Sequence, residues 1–222
     1  MKTLIVLPAY NEESVLAETL KALRVCTGAD LLVVDDGSTD RTSEIAAGTV
    51  GAEVARHLIN LGLGAALETG FEAGRRGGYD ALVTFDSDGQ HNPKDVGRLL
   101  ERLKDADVVI GVRNVHLERM PALKKLGNAL LNTLTGVIFG IWCRDTQSGL
   151  RAFNRRAIEA ISLRANRYEV SSEILYEAKR NGLRIVEVPV EVIYTDHSKG
   201  RGTGMVDGFR ILWRMVLHQR GG

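Results

Sequence analysis

The sequence has 222 residues, 44% of them hydrophobic and 26% charged, with 24 Gly and only four Pro. That composition fits one compact domain with a sizeable core and excludes a disordered, collagen-like or disulfide-stapled chain. The formal net charge of +1 argues against a general nucleic-acid binder, yet it hides a split: residues 1–111 carry 11 Lys and Arg against 18 Asp and Glu, a balance of −7, which leaves +8 for residues 112–222.

In chain order, the first half alternates short β-branched runs with helical stretches. Strands are expected at Thr3–Leu7, Leu31–Asp35, Glu53–His57, Asp80–Phe85 and Asp107–Gly111. Helices are expected at Glu12–Val25, Thr39–Ala47, Gly64–Arg76 and Pro93–Leu103. Strands without polar alternation, separated by helices, predict an α/β fold: a mostly parallel, Rossmann-like sheet covered on both faces. After Arg113 the pattern changes. His116–Trp142 is a Leu-rich helical segment flanked by cations, Asp145–Arg151 a polar turn, Glu169–Arg180 a helix and Leu183–Val190 a strand. Thr195–Gly204 is a Gly- and cation-rich loop, and Met205–His218 an amphipathic helical elaboration. No linker or internal repeat divides the chain, so residues 1–222 are read as one domain with a 1–113 half and a 114–222 half.

Cys26 and Cys143 stand far apart in no metal-ligand spacing, which fits reduced core thiols in a cytoplasmic protein. Leu4–Leu7 is too short an apolar run for a signal peptide, and no stretch approaches the ~20 apolar residues of a membrane-spanning helix.

In a parallel sheet ligands bind beyond the carboxyl ends of the strands. Those ends carry Pro8–Glu12, Asp35–Ser38, Asp86–Gln90 and Gly111–Arg113, so the chemically suggestive residues share one edge. Asp86-Ser87-Asp88-Gly89-Gln90 offers two carboxylates one residue apart on a turn, a set suited to Mg²⁺ or Mn²⁺ with positions left for phosphate oxygens. An Asp-rich turn with local hydrogen bonds is the plainer alternative. In Asp35-Asp36-Gly37-Ser38-Thr39-Asp40, Ser38 or Thr39 can cap the next helix with Asp40 in its first turn. The adjacent carboxylates exceed what capping requires, and one is available to accept bonds from a base or ribose. Pro8-Ala9-Tyr10-Asn11-Glu12-Glu13 adds a rigid turn, an aromatic face and a carboxylate at a helix start.

These elements, in this order, resemble the family 2 glycosyltransferases, inverting enzymes of GT-A fold, and above all their dolichyl-phosphate mannosyltransferase-like branch. The resemblance continues through Asn60-Leu61-Gly62-Leu63-Gly64-Ala65, Thr84–His91, Val109-Ile110-Gly111-Val112-Arg113 and Asp145-Thr146-Gln147-Ser148-Gly149-Leu150-Arg151, and covers the chain to about Val190. It implies that Pro8, Tyr10, Glu12, Asp36 and Asp86 hold the nucleotide. It further implies that Asp86, Asp88 and Gln90 bind a divalent ion and the donor diphosphate. Leu61 stands where many relatives have a lysine or arginine near the diphosphate.

The same resemblance assigns the acceptor phosphate of a polyprenyl lipid to Arg113, Ser148 and Arg151, with Arg201 and Lys199 in a basic loop near the substrates. Asp88 and Arg113 are the expected catalytic pair. A phosphate nucleophile, with its second pKa of about 6, needs little help from a general base, so His91 is read as structural. Met120–Trp142 and the C-terminal helix fit either core packing or an interfacial position on anionic lipid at the cytoplasmic face of the membrane. The C-terminal helix also fits a homo-oligomer contact. Two other readings remain: transfer to a sugar hydroxyl in polysaccharide assembly, and a non-catalytic nucleotide-sugar-binding subunit, for which Leu61 is the only hint.

Overall fold

The computed structural model describes residues 1–113, 143–165 and 170–191, with the backbone alone for Arg113. The expectations for Met120–Trp142, for the 195–204 loop with Lys199 and Arg201, and for the C-terminal helix lie outside the described residues.

Among the described residues seven strands form one sheet: β1 (Thr3–Ala9), β2 (Asp30–Asp35), β3 (Ala52–Arg56), β4 (Ala81–Thr84), β5 (Val108–Arg113), β6 (Arg151–Asn154) and β7 (Ile185–Val190). Their order across the sheet is β3-β2-β1-β4-β6-β5-β7. β1, β2, β3 and β4 pair in parallel, as do β5 and β7. β6 alone runs antiparallel, between β4 and β5. The described helices are α1 (Leu16–Cys26), α2 (Thr42–Gly48), α3 (Leu63–Arg76), α4 (Asp95–Arg102), α5 (Arg155–Ala160) and α6 (Val170–Arg180).

Successive residues of a strand point to opposite faces, and here both faces are buried. In β1, Leu4 and Val6 pack with Leu67 and Phe71 of α3, Ile158 of α5 and Ile174 of α6. Ile5 and Leu7 pack on the other face with Leu16, Leu20 and Leu23 of α1 and Val96 and Leu99 of α4. This double burial removes the polar alternation from the strands. Phe71 and Phe153 meet edge to face at 4.9 Å, tying α3 to β6. Truncating one such fully buried ring would cost roughly 3–5 kcal/mol.

The structure departs from the sequence reading at three places. α1 and α2 start later than expected because their approaches are bonded to each other. Asn11, at φ 55°, donates its N–H to Ser38 Oγ and accepts at Oδ1 from Thr39 N, while Glu12 N donates to Thr42 Oγ1. Ser38 and Thr39 therefore do not cap α2; Asp40 accepts from Thr42 N instead. Strand β6 and helix α5 were not anticipated, and Arg151 opens a strand rather than closing a turn. Cys143 is buried, its thiol pushed up to about 12 by burial and by a bond to Glu187, whereas Cys26 is exposed rather than in the core.

Candidate active site

The carboxyl ends of β1, β2 and β4 lie side by side, with Ala9 level with Asp35 and Val6 level with Thr84. Because β6 is antiparallel, its first residue reaches the same edge, and Arg151 pairs with Thr84. The geometry thus brings the Pro8–Glu12, Asp35–Ser38 and Asp86–Gln90 turns together with the 145–151 segment.

Ser87 anchors the acidic turn. It is buried, and its hydroxyl donates to Pro8 O at 2.8 Å, joining the turn after β4 to the turn after β1. The residues on either side of it stay partly open, and the Asp86 side chain is 38% exposed. Asp88 accepts from Gln90 N at 3.0 Å and from Gln90 Nε2 at 2.7 Å, which holds the Gln90 amide beside the carboxylate. His91 is 5% exposed, stands edge-on to Phe85 and sets Nε2 3.0 Å from Asp86 Oδ2. Its structural role therefore includes orienting a carboxylate of the site, which a reading of local sequence missed.

The donor set fits a hard divalent ion. Two partly exposed carboxylates and an amide oxygen on one turn are oxygen ligands of the kind Mg²⁺ and Mn²⁺ prefer. Among the described residues no three His, Cys, Asp or Glu side chains gather into a cage.

The 145–151 segment lies directly against this turn. Thr84 Oγ1 donates to Gly149 O at 2.7 Å, and a Cβ added at Gly149 would collide with both Asp86 carboxylate oxygens. Gly149 is a second site residue that the motif contained without showing its contact: a side chain there would push the Asp86 carboxylate aside. Arg151 is 2% exposed and donates from Nη2 to Thr146 O at 2.9 Å, so its guanidinium supports the segment from within. Ser148 is 1% exposed, and its Oγ has no hydrogen-bond partner among the described residues.

On the other flank, Tyr10 is 44% exposed, Pro8 and Glu12 are half-buried and Leu61 is exposed. Asp36 is 4% exposed, and its carboxylate accepts from Leu61 N and Gly62 N, so it holds the loop that leads into α3. Asp35 is fully buried, accepts from Ser38 N at 2.9 Å and lies 3.3 Å from Arg56 Nε. Arg113 ends β5 at the same edge, while Arg201 lies outside the described residues.

The family model described as Glycosyl transferase family 2 matches residues 4–162. By sequence, the chain is 35% identical to the UDP-N-acetylglucosamine–dolichyl-phosphate N-acetylglucosaminyltransferase of Methanococcus voltae, over 98% of this chain and 96% of that one. It is 33% identical to the undecaprenyl-phosphate mannosyltransferase of Micrococcus luteus, over 94% and 90% of the two chains. Glucosyl-3-phosphoglycerate synthase from Mycobacterium tuberculosis, solved with Mn²⁺ and UDP-glucose, shares the fold with a TM-score of 0.71, covering 97% of this chain and 76% of that one at 22% identity. With a mostly parallel sheet of GT-A type, the acidic turn at its carboxyl edge and the family match over residues 4–162, the chain belongs to glycosyltransferase family 2 and is a glycosyltransferase.

Proposed function

We propose that this enzyme transfers a sugar from a nucleotide-sugar to the phosphate of a polyprenyl lipid, with inversion at the anomeric carbon. One observation carries the reading: the Asp86–Gln90 turn, suited to a donor diphosphate, abuts the 145–151 segment, with Gly149 against Asp86. Donor and acceptor groups are then neighbours on one strand edge. The named activities of the Methanococcus and Micrococcus relatives, both on polyprenyl phosphates, support the acceptor class.

Pro8, Tyr10, Glu12 and Asp36 hold the nucleoside, and Asp86 faces its diphosphate. Asp86, Asp88 and Gln90 would hold Mg²⁺ or Mn²⁺, which would supply neutralisation of the charge on the departing nucleoside diphosphate. Arg113, Ser148 and Arg201 are assigned to the acceptor phosphate, Arg151 acts from its buried position by holding the 145–151 segment that receives it, and Arg113 neutralises the attacking group as it nears the sugar. An acceptor phosphate oxygen bonds to the anomeric carbon from the face opposite the diphosphate. The bond from that carbon to the diphosphate oxygen breaks, and the nucleoside diphosphate leaves with the electron pair. The nucleophile is already ionised near neutral pH, so no side chain has to remove a proton. The protein's share of the catalysis is alignment and charge placement.

The lipid acceptor implies peripheral contact with a membrane, and no described helix is long and apolar enough to cross one. Salt-reversible co-sedimentation with anionic vesicles tests that contact. A panel of UDP- and GDP-sugars with undecaprenyl and dolichyl phosphates, in Mg²⁺ or Mn²⁺ and with a chelator control, tests the reaction. The expected product is a sugar-phosphate lipid formed only with metal. Transfer to a sugar hydroxyl alone, or no transfer to any lipid phosphate, would overturn the proposal.

A further inference from the structure

A carboxylate, an imidazole and a hydroxyl run in line from the end of β2 to α3. Oδ1 of Asp36 accepts from Leu61 N at 2.9 Å and stands 2.7 Å from Nδ1 of His57; Oδ2 accepts from Gly62 N at 2.7 Å. On the far side of the ring, Nε2 of His57 is 2.9 Å from Oγ1 of Thr69 in α3, and that hydroxyl also lies 3.0 Å from Ala65 O. The side chains of His57 and Asp36 are only 12% and 5% exposed.

Hydrogen-bond chemistry narrows the arrangement. An ionised carboxylate only accepts, so Nδ1 of His57 carries a proton. In the neutral ring Nε2 then accepts from the Thr69 hydroxyl. In the charged ring Nε2 donates, and the Thr69 hydroxyl turns to Ala65 O. In both states the ring is a donor to Asp36, and Thr69 keeps it from rotating. Oδ1 thus has two donors and Oδ2 one, which leaves the remaining acceptor direction on Oδ2.

We propose that His57 is a positioning residue for the donor nucleotide. It turns the Asp36 carboxylate so that Oδ2 faces the nucleoside, and it holds residues 57–62 against the same ligand. The inference rests on the reading of this edge as the nucleotide site. Neither Asp36 nor the loop is held by packing alone, since Leu58, Ile59 and Leu61 are exposed and the hydrogen bonds to Asp36 tie the loop down.

The test is calorimetric titration of UDP and GDP, each with Mn²⁺ or Mg²⁺, into the wild-type chain and into His57→Ala, His57→Asn and Thr69→Val. His57→Ala should weaken nucleotide binding roughly tenfold, the scale of one hydrogen bond to a charged group. His57→Asn, whose amide can replace the Nδ1 donor, should stay within about threefold of wild type. Thr69→Val should fall between the two. Once transfer is measured, the donor KM should rise in His57→Ala while kcat at saturating donor stays within about twofold, a split that general loosening of the fold would not produce. Binding by His57→Ala equal to wild type, or by His57→Asn as weak as by His57→Ala, would overturn the proposal and leave the donor site standing. If the wild-type chain binds neither nucleotide, both fall.

Discussion

Gly149 lies so close to Asp86 that it has room for no side chain: a Cβ there would strike both carboxylate oxygens. The glycine also presents its carbonyl to Thr84, so the segment cannot simply move away. Gly149→Ala should therefore displace Asp86 rather than the backbone. Misplacing a reacting group by about 1 Å costs on the order of a hundredfold in rate. Overpacking at this site should cost about 1–3 kcal/mol in stability. Transfer assays beside thermal melts test both expectations, and a variant with wild-type rate would show that Asp86 has slack.

Asp88→Ala should abolish transfer, a loss of about a thousandfold or more, with the fold intact. Asp88 is half-exposed and accepts from Gln90 on the same turn. Its removal should cost no more than the ~0.5–3 kcal/mol of an ordinary point substitution. Retained metal-dependent activity would sink the metal assignment.

Arg113 ends β5 at the edge that carries the acidic turn. Arg113→Ala should weaken use of the lipid phosphate by roughly 10–100-fold, the range of a charged hydrogen bond to phosphate, and leave nucleotide binding nearly unchanged. Steady-state kinetics with the acceptor varied will read this. Unchanged acceptor kinetics would refute the role.

Asp107 gives a prediction about stability rather than catalysis. Burial pushes its carboxyl up, but the Arg184 N–H at 2.8 Å, Asn154 Nδ2 at 2.9 Å and the Arg156 guanidinium outweigh that and hold it below the usual value. A lowered folded-state pKa means the stabilisation is present above the unfolded pKa of about 3.9 and is lost as pH falls through the folded value. Asp107→Ala should cost about 1–3 kcal/mol at neutral pH by stranding its donors. The difference from wild type should shrink below about pH 4. Urea midpoints measured against pH would expose a constant difference, which would contradict this account.

How far the sequence reveals the molecule depends on the range of the interactions. The apolar runs Leu4–Leu7 and Leu31–Val34 announce a doubly covered parallel sheet because burial on both faces leaves them no polar alternation. The acidic turn is legible for a similar reason, since Asp86 and Asp88 are local neighbours. Arg151–Asn154 is not: its pairing with β4 and β5 is set across more than forty residues, and an arginine that is 2% exposed looks like a turn residue in one dimension. Asn154 did carry a readable signal, for its side chain accepts from Ala157 N and starts α5. The Asp36–His57–Thr69 line joins residues 12 to 33 positions apart, and no local pattern encodes it.

Strand β6 also decides how the molecule can be divided. β5 has no recorded partner in the first 113 residues; its neighbours are β6 and β7, both later in the chain. A fragment ending at Arg113 would present β4 as a bare edge, open to pairing with other chains, and leave β5 nothing to join. The acidic and basic halves are thus a distinction of charge along the chain, while mechanically they are one sheet sewn together by a single reversed strand.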